Sequence, residues 1–174
     1  MRYSNNGLAY EFSCGATKGE NYNETMFIAD NTIYSYGFHF PIAKRMVTEK
    51  GIFYLFNNDS YSVTTARHKS NVLHYLKRNG DKIIFLNFVT SYRWGSQNAY
   101  KFHELKTILK QEKINEEELK LLEGMQKKRF SKARAERIEF LKEQQKIIKE
   151  FKETEIIKNA IKEEIIKELQ KNKN

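Results

Sequence analysis

Histidine, cysteine and carboxylate side chains are the usual material of an active centre, and this chain holds few of them in suggestive arrangements. Its histidines are His39, His68, His74 and His103, and its one cysteine is Cys14. No HExxH motif occurs and no His–Cys pair stands at a ligand spacing, so the pattern gives metal binding no support. His68 and His74 are six residues apart, which on a helix puts them on different faces. His68 falls among apolar residues at helical spacing, where a hydrogen-bonded core histidine is expected before a general base. Cys14 has no neighbouring histidine or basic helix end to activate it and reads as an inert thiol. Asp30, Asp59 and Asp81 all lie in turn-forming sequence. Neither GxxxxGK[ST] nor GxGxxG is present. The expectation is a protein that is not an enzyme, with no catalytic residue, metal or cofactor assigned.

Two groups of residues point to binding instead. The first is Lys127, Lys128, Arg129, Lys132, Arg134 and Arg137, six basic residues in eleven positions opposed only by Glu136. Such a segment can hold the phosphates of RNA or DNA, or an acidic protein groove. A solvated helix start explains it equally well, because the sequence downstream is full of Glu–Lys pairs. Cations at a helix N-terminus oppose the macrodipole, which is a reason to look for a function. The second group is Tyr92, Arg93 and Trp94, followed by Tyr100 and Phe102. Trp, Tyr and Arg are the types most enriched at interface hot spots, although Trp94 capping the sheet explains the pattern equally well.

The elements that would carry these residues divide the chain in two. Aromatics crowd the first hundred positions, while Lys, Glu and Ile dominate the rest, so residues 1–98 read as a compact α+β domain and 99–174 as a helical extension. Hydrophobic residues are 40% of the chain and charged residues 30%, enough for a core in the first part and for solvated helices in the second. The net charge of +9 is split almost evenly between the halves, so neither is a polycation. One cysteine excludes an intrachain disulfide and suits a reducing compartment. No apolar run is long enough to span a bilayer, and the first residues lack the apolar core of a signal peptide. The expected location is cytoplasmic, with no membrane partner.

In order, alternation at Leu8, Tyr10 and Phe12 predicts a strand, followed by a flexible loop over Cys14–Asn21. Thr25–Ala29 and Thr32–Tyr36 predict strands joined by a turn at Asp30-Asn31. Gly37 and Pro41, the only proline, interrupt the ladder; Ile42–Val47 and the run IFYLF after Gly51 continue it. Asn57–Asp59 is a turn, Tyr61–Thr64 a short strand, and Thr64 or Thr65 caps a helix with His68, Val72, Tyr75 and Leu76 inward. Asn79-Gly80-Asp81 stops that helix, and Lys82–Val89 is a buried strand. These elements make a small antiparallel β-sheet with one packed helix. From Tyr100 the period is helical: Asn115 is expected to cap a second helix, and Ser131 a third running unbroken to about Leu169. Gln145 interrupts the heptads of that long helix, leaving a short homodimer seam as an open alternative.

The segments Tyr34-Ser35-Tyr36, Phe40-Pro41-Ile42-Ala43 and Tyr61-Ser62-Val63-Thr64-Thr65, with His68 and Leu76, resemble a small domain of unknown function found in phage, plasmid and other mobile-element proteins. The likeness covers roughly positions 8–78. Proteins with such a head and a variable helical tail are similar to some small phage-encoded anti-CRISPR proteins. The resemblance implies a phage or mobile-element inhibitor that binds a host CRISPR nuclease of the Cas9 type, with or without its guide RNA, by occlusion rather than catalysis. The alternative is a phage-encoded nucleic-acid-binding accessory protein that uses the same basic segment.

Overall fold

The computed structural model describes residues 2–38, 40–60, 62–87, 105–125 and 131–171. They fall into two compact units, residues 1–47 with 52–102, and residues 48–51 with 103–174. The fold is α+β, with seven strands in the first unit and the later helices in the second.

In the first unit, β1 (Arg2–Tyr3), α1 (Asn5–Ser13), β2 (Lys18–Asn21), β3 (Met26–Ala29), β4 (Thr32–Ser35), β5 (Pro41–Thr48), β6 (Gly51–Asn57), α2 (Val63–Arg78) and β7 (Lys82–Leu86) follow one another. The strands lie in the sheet in chain order. Its middle is antiparallel from β2 to β5, but both ends are parallel: β1 runs with β2, and β6 with β7. A parallel pair needs a crossover, and α1 and α2 supply the two. The sheet is therefore mixed and carries two helices, where one was expected.

The additional helix replaces the predicted strand at Leu8–Phe12. Alternation there is ambiguous, because Leu8 and Phe12 are also i and i+4 on a helix. Ser4 resolves it: its Oγ accepts the Gly7 N–H at 3.0 Å, an N-cap, and the resulting helix buries Leu8, Ala9 and Phe12 while Tyr10 faces solvent. The predicted loop at Cys14–Asn21 contains β2. Its glycine is needed for close approach rather than flexibility, since a Cβ on Gly19 would stand 3.0 Å from Leu8 Cδ1.

Two turn expectations hold, while the cap and strand before α2 do not. Asp30 and Asn31 both have positive φ (49° and 62°), the type I′ geometry that joins β3 to β4. Gly80 N–H bonds Lys77 O and Asp81 N–H bonds Leu76 O, closing α2 with a Schellman motif. The α2 cap is Ser62, whose Oγ accepts the Thr65 N–H at 3.2 Å. Thr65 moves inside the first turn and is buried with His68, Val72 and Leu76, so no strand covers 62–64. Tyr61 lies outside the described residues, as do the last residues of the predicted strand Lys82–Val89.

The core lies between α1, α2 and one sheet face, built from Leu8, Phe12, Met26, Ile28, Ile33, Tyr54, Phe56, Val72 and Leu76 among others. Phe53, Leu55, Ile84 and Leu86, which alternate with these along β6 and β7, are buried as well. The outer face is thus shielded from water at β6 and β7.

The second unit holds α3 (Leu105–Gly124), α4 (Lys132–Lys152) and α5 (Glu155–Lys171). Asn115 does not begin a helix. It is buried inside a continuous α3, and its side-chain oxygen accepts from Gln111 Nε2 at 2.9 Å. Ser131 caps α4 as expected, accepting the Arg134 N–H at 3.2 Å. The long helix to Leu169 is broken at 153–154. Buried Thr154 donates its hydroxyl to Phe151 O at 2.7 Å, which competes with helix continuation, and Glu49 caps the restart by accepting the Glu155 N–H at 2.9 Å. Ion pairs Glu112–Lys152 and Glu118–Arg137 run α3 and α4 in opposite directions.

Candidate functional site

Among the described residues, the arrangement with the appearance of catalytic machinery is Ser35 on β4 with His68 on α2. Ser35 Oγ lies 2.8 Å from His68 Nδ1 and 3.4 Å from Thr65 Oγ1, and Ser62 Oγ donates to Thr65 Oγ1 at 3.0 Å. A serine–histidine bond of this length can activate a nucleophile. Here Ser35, His68 and Thr65 are all fully buried, and the Tyr36 ring stacks on the imidazole at 5.8 Å. No substrate reaches a hydroxyl in that position. Burial pushes the His68 pKa down, so the ring is neutral at neutral pH. The network pins α2 to β4.

Cys14 follows α1 and is exposed, with Tyr10 hydrogen-bonded to it. The Arg45 guanidinium lies close over Gly15, whose added Cβ would stand 3.3 Å from it. Tyr54 donates to Ser13 O at 3.3 Å, and burial, reinforced by the charge on Asp81, pushes its pKa up to about 12. Burial also raises Asp81, against the pull of Arg45. At the other end of α1, a cleft of about 410 Å³ is lined by Asn5, Asn21 and Tyr22 among others. Its buried Asn21 amide is already committed to Asn5 Oδ1, Thr25 Oγ1 and the Met26 N–H.

Of the basic segment, Lys127, Lys128 and Arg129 lie outside the described residues, as do Tyr92, Arg93, Trp94, Tyr100, Phe102, His39 and His103. The three remaining cations have defined partners. Arg134 donates to the carbonyls of Leu122 and Met125, closing the end of α3. Arg137 forms a two-pronged bond with Glu118, both contacts at 2.7 Å, and lies over the Phe140 ring. That carboxylate holds the Arg137 pKa up and is itself held down. Lys132 makes a loose i,i+4 pair with Glu136 at 3.8 Å and stays almost wholly in water. The two arginines therefore join the facing ends of α3 and α4, and Lys132 is the cation of the three that projects. At the end of α3, Leu121 and Met125 are 68% and 45% exposed.

A second group, half-buried at two rings and exposed at the third, went unnoticed in the sequence. Phe27 and Tyr34 are cross-strand partners whose rings stack at 5.1 Å and 15°, and Phe38 meets both edge-on at 5.0 and 5.1 Å. Their signal was present: each strand beside the Asp30-Asn31 turn places an aromatic at an outward position of its alternation, where a polar residue is usual. Among the described residues no cluster of three metal-ligating side chains occurs, and no helix is long and apolar enough to cross a membrane. Compared with models of protein families, with curated proteins and with solved structures, the chain matches none.

Proposed function

We propose that this chain is a non-catalytic, mobile-element protein that binds a host CRISPR nuclease of the Cas9 type and inhibits it by occlusion. The observation that supports binding is the exposed pair Leu121 and Met125 at an α3 end that Arg134 and Arg137 hold against α4. Large apolar side chains kept in water on an ordered element, with cations at their rim, are the features of a partner surface. The nuclease is named from the resemblance of the head to anti-CRISPR proteins. Lys132, which projects into water, is the described cation that would meet guide RNA phosphates.

The test is recovery of a Cas9-type nuclease on the tagged protein, with and without guide RNA, beside a cleavage assay. The reading expects recovery and inhibition. Leu121→Asp with Met125→Asp should weaken binding about tenfold or more, as hot-spot losses do, with little change in thermal midpoint. Recovery of nucleic acid alone would replace this reading with the accessory-protein one. Recovery of neither, with full cleavage, would end it.

A further inference from the structure

We propose that the open face of β3 and β4 binds single-stranded nucleic acid, with bases stacking on Phe38, Tyr34 and Phe27. Strand register puts the group on the face opposite the helices. Met26, Ile28 and Ile33 point to the core, so their neighbours Phe27 and Tyr34 point outward. The same outer face is buried at β6 and β7; here Phe27 and Tyr34 are half-buried and Phe38 is 64% exposed. Its position is fixed by the backbone: Ser35 N–H bonds Phe40 O at 2.9 Å, and Phe40 N–H bonds Gly37 O at 3.3 Å. Tyr36 and Gly37 take positive φ to turn the chain, an arrangement a tyrosine adopts at a cost. The loop thus holds a phenylalanine out in water against two further rings.

The charges beside the rings decide the kind of partner. Two residues along the strands from the Phe27–Tyr34 row lies the row Lys18, Ala29, Thr32, Lys44, read from the strand pairing. Between the rings and the two lysines lie the small side chains of Ala29, half-buried, and Thr32, buried. Rings for bases beside cations for phosphates form a stacking platform of the kind that binds unpaired strands without reading sequence. A duplex keeps its bases stacked on one another and offers no free face. Of the neighbouring acids, Glu20 (cross-strand from Phe27) and Glu24 pair with Arg2, while Asp30 lies near Lys44 and offsets part of its charge, leaving Lys18 the more open of the two lysines. This surface belongs to the first unit and does not depend on the nuclease reading.

Fluorescence anisotropy of the full chain with labelled single strands of about twelve nucleotides, and with the matching duplex, tests it. At about 50 mM salt the single strands should bind, and the duplex about tenfold more weakly. Phe38→Ala should weaken single-strand binding at least about fivefold and leave the thermal midpoint unchanged, since the ring is exposed. Lys18→Gln with Lys44→Gln should flatten the salt dependence by about 1.4 in log–log slope, roughly 0.7 per phosphate contact. Equal affinity of wild type and Phe38→Ala, or no single-strand binding at low salt, would overturn the proposal and leave the face to a protein. Leu121→Asp with Met125→Asp should not alter oligonucleotide affinity, which separates failure here from failure of the nuclease reading.

Discussion

The two units differ in the polar contacts they rely on most. The first buries several and closes them on one another or on the backbone, as in Ser35–His68–Thr65, Asn21 with Asn5 and Thr25, and Asn57 donating to Pro41 O. In the second most sit at the helix surface as ion pairs, Glu112–Lys152, Glu118–Arg137 and Glu123–Lys142. A buried bond costs the full desolvation of its partner when one side is removed, whereas a surface pair is screened by water and salt. The first unit should therefore respond to single substitutions and to pH, and the second to ionic strength.

The largest effect should come from the apolar core of the first unit. Phe12→Ala, which empties a site touching Tyr54 edge-on at 5.6 Å, is expected to cost about 3–5 kcal/mol in denaturant unfolding. Next, Ser35→Ala removes the partner of His68 Nδ1 in a fully buried site and should cost about 1–3 kcal/mol. Arg137→Met should cost only about 1 kcal/mol or less, because both partners are partly exposed. The Arg137→Met loss should shrink further at high salt, while the Ser35→Ala loss should not. If the two losses proved equally salt-sensitive, the contrast between the units would be wrong.

The pH dependence sharpens the same contrast. His68 is held below its ordinary pKa of 6.5 by burial, so the unfolded chain binds its proton more readily. Stability is complete above about pH 6.5 and falls as pH drops through that value toward the depressed pKa of the folded state. Thermal midpoints between pH 7 and 5 should show this fall, and His68→Gln should flatten it. The smallest effect belongs to Asp81, whose pKa burial raises. Its charge is disfavoured in the fold once pH exceeds the unfolded value, so Asp81→Asn should raise the midpoint slightly at pH 7 and not at pH 3. A lower midpoint at pH 7 would show that the Arg45 attraction outweighs the desolvation.

Whatever rested on neighbouring residues was legible from the amino acids. Asp30-Asn31 specified a hairpin because both side chains tolerate positive φ, Asn79-Gly80-Asp81 specified a helix end, and Ser131 specified a cap. The split into an aromatic α+β part and a charged helical part followed from composition. Contacts between distant residues decided the rest. Leu8–Phe12 suits a strand or a helix until Ser4 and the core choose, and Gly19 looks like a loop residue until Leu8 stands against it. Asn115 looks like a cap until Gln111 draws it inside α3, and Glu49 defines where α5 begins from more than a hundred residues away. The basic segment was plain in the sequence, but only packing showed Arg134 and Arg137 engaged within the fold and Lys132 projecting. Propensity and capping act over a few residues, so one stretch reveals them. Burial and desolvation depend on what the folded chain brings alongside, and that exists only in three dimensions.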